Sequence, residues 1–118
     1  MLRHMLRAKI HRATVTEARM DYVGSITIDR DLIEAAGIVE NERVLVANLA
    51  NGTRHETYVI AGQAGSGTVC INGAGAHLVA PGDKVIIMCY GFVDERELAA
   101  HRPVILLMGE NNTIDEIR

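Results

Sequence analysis

Gly24 and Ser25 stand directly before a strand-like run, Ile26 to Asp29, and this pair is where the chain could cut its own backbone. A serine hydroxyl can attack the carbonyl of the preceding residue and convert the amide into an ester. β-Elimination from that ester frees a carboxyl terminus at Gly24 and leaves dehydroalanine at position 25, whose hydrolysis gives a ketone, the pyruvoyl group. Glycine suits the position before the break because it lacks Cβ and tolerates a strained backbone. A second pair, Gly65-Ser66, shows that the dipeptide alone does not identify such a site.

Other chemistry-bearing segments surround this pair in a defined order. They are Lys9 to Thr16 (KIHRATVT), Tyr22-Val23 before the pair, Asn51 to Arg54 (NGTR) with Thr57-Tyr58, and Asn72 to His77 (NGAGAH). In this order and spacing the chain resembles the aspartate 1-decarboxylase family, pyruvoyl enzymes that make β-alanine for pantothenate biosynthesis. The resemblance covers nearly the whole chain and thins after about Asp94.

The resemblance implies a reaction and a cofactor. L-Aspartate would lose its α-carboxylate as CO2 and give β-alanine. A Schiff base between the substrate amine and a pyruvoyl group made from Ser25 would accept the electrons, as pyridoxal phosphate does in other enzymes. The zymogen, a single domain of residues 1–118, is therefore expected to be cut into residues 1–24 and 25–118. No metal is expected, because the five histidines show no ligand spacing.

The neighbours Thr57 and Tyr58 have distinct expected roles. By resemblance Tyr58 protonates the intermediate, and a phenol suits this role because it can donate a proton and stay neutral until needed. By resemblance the Thr57 hydroxyl polarises the Gly24 carbonyl during cleavage and contacts the substrate. Adjacent residues of a regular strand point to opposite faces. Both can serve one pocket only if the strand is kinked there or the site lies between subunits.

A dicarboxylate substrate needs fixed positive charge in its pocket. Arg54 can hold a carboxylate in bidentate fashion and Lys9 can add a point charge. His11 either shapes the site electrostatically or caps a strand. The small residues after Asn72 offer backbone N–H groups that can approach and bind a carboxylate. The remaining predicted site residues are Gly73, Ala74 and Gly75 as substrate contacts, with Tyr22 and Asn72 in support.

Three positions depart from the family pattern. Ala47 stands where some relatives carry a bulky side chain near the site, and it is expected to loosen the pocket and weaken substrate affinity without changing the reaction class. Gly75 stands where Ala is usual, a conservative change for a backbone contact. His4 replaces a more typical Thr.

Composition excludes several classes of protein. Of the 118 residues 48% are hydrophobic, but there is no Trp and only one Phe, so the core must be aliphatic. A net charge of −3 argues against a dedicated nucleic-acid binder. No apolar run approaches the roughly 18 residues of a membrane span, and the N-terminus lacks the apolar block of a signal peptide, which predicts a cytoplasmic protein. Cys70 and Cys89 are expected to be reduced core residues.

The elements that carry these residues are mostly strands, as the alternation and β-branched content of the apolar residues indicate. The predicted strands are residues 13–16, 25–29, 43–49, 54–60, 68–72, 84–90 and 104–108. A helix is predicted from Arg30 to Ala36, with Asp29 as N-cap and Gly37 as its stop, and a second short helix over 94–100. Asn51-Gly52 favours a type I′ hairpin turn, and the tail from Asn111 is expected to be loose.

These elements favour a mainly β fold, a compact barrel of six to seven strands with two or three short helices. The resemblance sharpens this prediction to a double-psi β-barrel assembled as a homotetramer, with sites near the subunit interfaces. Two other readings stay open. One is a different pyruvoyl-dependent amino-acid decarboxylase, and the other is an uncut small β-barrel that binds a small ligand or DNA without catalysis. Self-cleavage is expected to be either autonomous or assisted by a maturation helper protein.

Overall fold

Nine strands make up most of the chain in the computed structural model, which describes all 118 residues. The strands are β1 (Leu2–Thr14), β2 (Glu17–Arg19), β3 (Ser25–Asp29), β4 (Arg43–Asn48), β5 (Arg54–Gly62), β6 (Val69–Asn72), β7 (Lys84–Asp94), β8 (Val104–Met108) and β9 (Ile114–Ile117). One α-helix, α1 (Arg30–Ala36), and three short 3₁₀ helices (Gly73–Leu78, Glu95–Ala100 and Glu110–Asn112) complete the fold. The prediction of a mainly β protein is confirmed.

The strands form one sheet in the order β2-β6-β3-β5-β4-β7-β1-β8-β9. Three neighbouring pairs are parallel (β1 with β8, β2 with β6, β3 with β5), and the other five are antiparallel. Thr16, which follows β1, donates its backbone N–H to Val69 O of β6 at 2.8 Å. This bond joins the chain after β1 to a strand five positions away in the sheet order, an arrangement compatible with a small β-barrel.

The core is aliphatic, as the composition predicts. Its 19 clustered buried residues include no aromatic side chain, and residues such as Ile10, Ile28 and Ile87 are fully buried. Burial of each such side chain contributes about 1.5–3 kcal/mol to folding. Cys70 and Cys89 are buried and free. None of the helices is long and apolar enough to span a membrane.

Helix α1 has the predicted limits because its signals are local. The Asp29 carboxylate accepts the backbone N–H of Asp31 at 2.9 Å at the start of the helix. Gly37 ends it in the left-handed conformation with φ 73°, which glycine adopts without a Cβ penalty. Leu32 and Ile33 turn toward the core. The local sequence therefore specifies both ends of this helix.

Several local predictions are wrong. The structure has nine strands rather than six or seven, because the short β2 pairs with β6 and the tail pairs with β8 as β9. Strand β1 begins at Leu2 rather than at Ala13. The predicted short helix over 94–100, by contrast, is present as the 3₁₀ helix Glu95–Ala100, with Asp94 as its N-cap. The Asn51-Gly52 turn is not type I′, since only Gly52 has a positive φ. Asn51 instead donates its side-chain amide to Leu78 O at 3.0 Å, so a contact from outside the hairpin shapes the turn.

Candidate active site

Ser25 is held by a buried amide. Strand β3 begins at Ser25 and pairs antiparallel with β6, which places Ser25 opposite Asn72. The two residues are only 2% and 6% exposed. Asn72 Nδ2 donates to Ser25 Oγ at 2.9 Å and to Thr27 Oγ1 at 3.1 Å. On the other side of the amide, the Cys70 thiol donates to Asn72 Oδ1 at 3.3 Å.

This network orients the amide. Burial raises the pKa of the Cys70 thiol, so the thiol keeps its proton near neutral pH and remains a donor. A donor facing Oδ1 and two hydroxyl oxygens facing Nδ2 fix which end of Asn72 points at Ser25. The Ser25 hydroxyl makes one further contact, a long one to Val23 O at 3.4 Å. The serine oxygen therefore sits beside a fixed hydrogen-bond donor, directly after the peptide bond that it would attack.

Gly24 is in backbone contact with Gly73. A Cβ on Gly73 would lie 2.6 Å from Gly24 Cα and 2.8 Å from Gly24 N, and Gly73 has φ 75°. Both the close approach and the left-handed conformation require glycine at position 73. A Cβ on Gly24 would meet nothing within 4 Å. The steric demand at this contact therefore falls on Gly73, while the space beside Gly24 is open.

Strand β5 places Thr57 and Tyr58 on opposite faces of the sheet. Its register with β4 runs without a shift from Arg43↔Tyr58 to Ala47↔Arg54, so the strand is not kinked. Thr57 lies opposite the buried Val44 and faces the core side. Tyr58 therefore faces the outer side. Of the two explanations that the sequence leaves open for this pair, the kink is excluded.

Ser25 shares the outer face with Tyr58. In the parallel pairing of β3 with β5, Ile26 lies opposite Val59, and both side chains are fully buried. Ser25 and Tyr58 each precede one of these core residues by one position. Side chains alternate along strands, so both point away from the core. The predicted proton donor and the residue that would become the electrophile thus lie on one face of neighbouring strands.

Arg54 and His11 lie in one row across the outer face. The row runs from Arg54 to Ala47, then to Ile86, then to His11, through the pairings of β5, β4, β7 and β1. Lys9 precedes His11 by two residues and has the same orientation. Ala47, half-buried between Arg54 and Ile86, presents only a methyl group there.

Two of the predicted site residues, Lys9 and His11, lie on a different part of the sheet order from Ser25. Both are on β1, which is four strands from β3 in that order. Arg54 is on the strand next to Ser25. The structure therefore brings Ser25, Asn72 and Gly73 into one cluster and sets Tyr58 on the neighbouring strand, with Arg54 further along β5. Lys9 and His11 make no hydrogen bond to this cluster.

The charges on this face are available to a ligand. Lys9 and Arg54 take part in none of the six salt bridges of the chain. Burial, and then the charges of Lys9 and Arg12, lower the pKa of His11, and its Nδ1 is buried without a hydrogen-bond partner. His11 is therefore uncharged near neutral pH, while the unpaired Lys9 and Arg54 supply positive charge.

Three further predicted site residues, Tyr22, Ala74 and Gly75, lie at the edge of the cluster around Ser25. Tyr22 is 56% exposed, with the Arg19 guanidinium 5.0 Å from the centroid of its ring, and its backbone oxygen lies 3.1 Å from the position of a Cβ on Gly73. Ala74 is exposed and Gly75 is half-buried. Sequence reasoning missed Thr27 and Cys70 as partners of Asn72. Side chains alternate along a strand, so Thr27 lies on the same face as Ser25, and Cys70 on the same face as Asn72. This alternation in the two predicted strands is the signal that could have identified them.

The fold and the site together define a small mainly β enzyme with a buried serine at a glycine-serine junction. The family model described as aspartate decarboxylase matches residues 1–115. Curated aspartate 1-decarboxylases of Bacillus cereus strains B4264 and ATCC 14579 are each 61% identical over 99% of this chain and 92% of their own length. That of Bacillus thuringiensis strain Al Hakam is 59% identical over the same shares. The chain belongs to the aspartate decarboxylase family, which confirms the resemblance of its motifs.

Proposed function

We propose that this chain cuts itself between Gly24 and Ser25 and then decarboxylates L-aspartate to β-alanine and CO2, a step toward pantothenate. The hydrogen bond from buried Asn72 to Ser25 Oγ is the observation that supports the self-cleavage most directly. Family membership supports the substrate and the reaction class. The uncut binding module is not favoured, because the relatives are named as enzymes.

Self-cleavage would use residues already in contact. Ser25 Oγ attacks the Gly24 carbonyl carbon, the C–N bond breaks, and the chain is joined by an ester with a free amine on residue 25. Loss of the Cα proton of residue 25 and cleavage of its Cβ–Oγ bond release the Gly24 carboxylate and leave dehydroalanine. Water then replaces the nitrogen, which departs as ammonia. In the intact chain Asn72 Nδ2 donates to Ser25 Oγ. Because this oxygen stays in the ester and leaves as part of the Gly24 carboxylate, the same donor would serve it at each stage.

Thr57 is the residue we assign to the Gly24 carbonyl. Extending the register of β3 with β5 by two residues beyond Ile26↔Val59 brings Gly24 level with Thr57. A hydroxyl there can donate to the carbonyl oxygen as negative charge develops on it. Gly24 has open space beside it on the side where a Cβ would stand.

The surroundings of position 25 fit a pyruvoyl group. The Asn72 donor is within hydrogen-bond reach, and the Gly24–Gly73 contact leaves no room for a larger residue at position 73. When formed, the pyruvoyl group would supply a ketone that can bind the substrate amine covalently and accept the electrons released with CO2. Tyr58, on the same face, donates the proton that replaces the lost carboxylate. Arg54 holds one substrate carboxylate, and the backbone N–H groups of Gly73, Ala74 and Gly75 hold the other.

We further propose that each site lies between two copies of the chain, in a homotetramer of double-psi β-barrels. Lys9 and His11 lie four strands from Ser25 in the sheet order and make no hydrogen bond to its cluster, so in this proposal they serve the site of a neighbour. The outer face also exposes apolar side chains, among them Phe92 at 70% and Tyr90 at 39%. A second copy over this face would bury them and exclude water from the site.

The decisive test of cleavage is the intact mass of the denatured protein. Two species that divide the chain at Gly24/Ser25, the larger one lighter than a serine terminus requires and blocked to N-terminal sequencing, are expected. Ser25→Ala should give one uncut chain that releases no β-alanine from aspartate. A wild-type chain that stays whole even after incubation with cell extract, which would supply a helper protein, would overturn the proposal.

Mixed oligomers test the shared site. Ser25→Ala and Lys9→Ala chains, each inactive alone, should regain about a quarter of wild-type activity when co-expressed, because a quarter of random chain pairs carry both native residues at one site. Absence of any recovery in mixed oligomers of verified composition would place Lys9 and Ser25 of each site in the same chain.

A further inference from the structure

His55 is a buried histidine to which the proposed reaction assigns no role. It lies on β5 opposite Val46, which is buried, so its side chain faces the core side together with Thr57. Its Nε2 is buried and has no hydrogen-bond partner. Burial lowers the pKa of His55, so the ring is neutral near pH 7. A polar atom buried without a partner costs free energy. A role in positioning neighbouring residues accounts for this cost.

The His55 ring is seated on Gly75. A Cβ on Gly75 would lie 2.6 Å from His55 Nε2 and 2.8 Å from Cδ2, with Ile71 Cγ2 at 3.2 Å. Gly75 is not among the glycines with positive φ, so its backbone conformation does not require glycine. The small space left beside its Cα does require glycine. The imidazole occupies the volume that an alanine methyl would need, so Gly75 fits the ring in this chain and alanine would not.

Gly75 is connected through a short segment of backbone to the Gly24–Ser25 bond. It belongs to the short 3₁₀ helix Gly73–Leu78, and Gly73, at the start of that helix, is the residue in backbone contact with Gly24. A shift imposed at Gly75 is therefore carried over two residues to Gly73 and from there to Gly24. Geometry at a reacting bond is sensitive to such shifts, since a displacement of about 1 Å can cost about a hundredfold in rate.

We propose that His55 is a positioning residue for self-cleavage. Its ring sets the position of the segment Gly73–Gly75, and that segment sets the position of the Gly24–Ser25 peptide bond. His55 and Gly75 then form a pair matched in size, in which a large ring requires a residue without Cβ. The proposal rests on the proposed function, because it concerns the bond that the chain is proposed to cut.

The test measures the rate at which full-length chain is converted into two fragments, by intact mass after expression at low temperature. Gly75→Ala should cleave at least about tenfold more slowly, because the methyl and the ring cannot share the space and the segment must move. The double variant His55→Ala/Gly75→Ala should cleave faster than either single variant, since the added methyl stands where the ring has been removed. Losses that merely reflect two independent structural defects would add instead of cancelling.

Gly91→Ala is the matched control. It makes the same change at another half-buried glycine, on strand β7, where the nearest atoms to the new Cβ would all belong to the flexible Arg7 side chain, the first at 3.3 Å. It should cleave at the wild-type rate. If Gly75→Ala does not fold, the cleavage rates of the double variant and of His55→Ala alone still test the positioning role.

The outcomes separate the inference from the proposed function. A wild-type chain that is never cut removes the proposed function. A wild-type chain that is cut, together with a folded Gly75→Ala that is cut equally fast or a double variant no faster than His55→Ala, removes the positioning role and leaves the proposed function intact.

Discussion

Asn72→Ala removes the one side chain that hydrogen-bonds Ser25, and it should stall self-cleavage at the ester stage. The Asn72 amide donates to Ser25 Oγ at 2.9 Å in the intact chain. That same oxygen leaves as part of the Gly24 carboxylate during elimination, so the bond becomes charge-assisted as the reaction proceeds. A hydrogen bond to a charged group contributes about 1.5–3 kcal/mol. At about 1.4 kcal/mol per tenfold change, the elimination should slow by roughly 10- to 100-fold.

The ester can be detected directly. It has the same mass as the uncut chain, but hydroxylamine cleaves esters much faster than amides. Asn72→Ala protein should therefore run as a full-length mass that hydroxylamine divides into a fragment ending at Gly24 and one beginning with a free Ser25. Wild-type protein should yield the blocked fragment without hydroxylamine.

Loss of stability must be separated from loss of chemistry. Asn72 also donates to Thr27 Oγ1, so its removal forfeits two donated bonds, or about 2 kcal/mol. Asn112→Ala is the matched control, because Asn112 is 4% exposed and bonds Thr14 N at 2.7 Å and the Thr14 and Gly67 carbonyls at 2.8 Å. Both variants should melt at lower temperature, but only Asn72→Ala should accumulate ester. Cleavage of Asn72→Ala at the rate of Asn112→Ala would refute the reasoning, and an uncut chain resistant to hydroxylamine would move the role of Asn72 to the initial attack.

Two further outcomes are expected. Tyr58→Phe should be cut normally, since the proposed cleavage uses Ser25, Asn72 and Thr57 and not the Tyr58 phenol, yet its turnover of aspartate should fall by about a hundredfold for want of a proton donor. Full turnover in steady-state assays of β-alanine release would remove Tyr58 from that role. Stability should decline as pH falls below the ordinary histidine value of 6.5, because burial lowers the pKa of His55 and His11 in the folded chain and the unfolded chain then binds more protons. Melting temperatures between about pH 7 and about pH 5 check this, and His55→Gln should lose less on acidification than the wild type; an equal loss in both would contradict it.

Local signals account for the elements that sequence reasoning placed correctly. Strands β3 and β8 and helix α1 have the predicted limits, and in α1 the cap residues Asp29 and Gly37 are adjacent to the helix they bound. Elements defined by distant partners were missed. Strand β2 is three residues long and exists through its pairing with β6, and β9 exists through its pairing with β8.

The sequence by itself determined the chemistry, because a Gly-Ser bond, a tyrosine hydroxyl and unpaired cations carry their reactivity wherever they are placed. The family motifs, which keep a defined order along the chain, were also readable there. Only the tertiary structure decided which of these groups meet. The unbroken register of β5 turns Thr57 and Tyr58 to opposite faces, and the strand order places Lys9 four strands from Ser25. The seating of His55 on Gly75 likewise depends on packing between residues twenty positions apart. Pairing between distant segments sets these contacts, and no local pattern of residues records it.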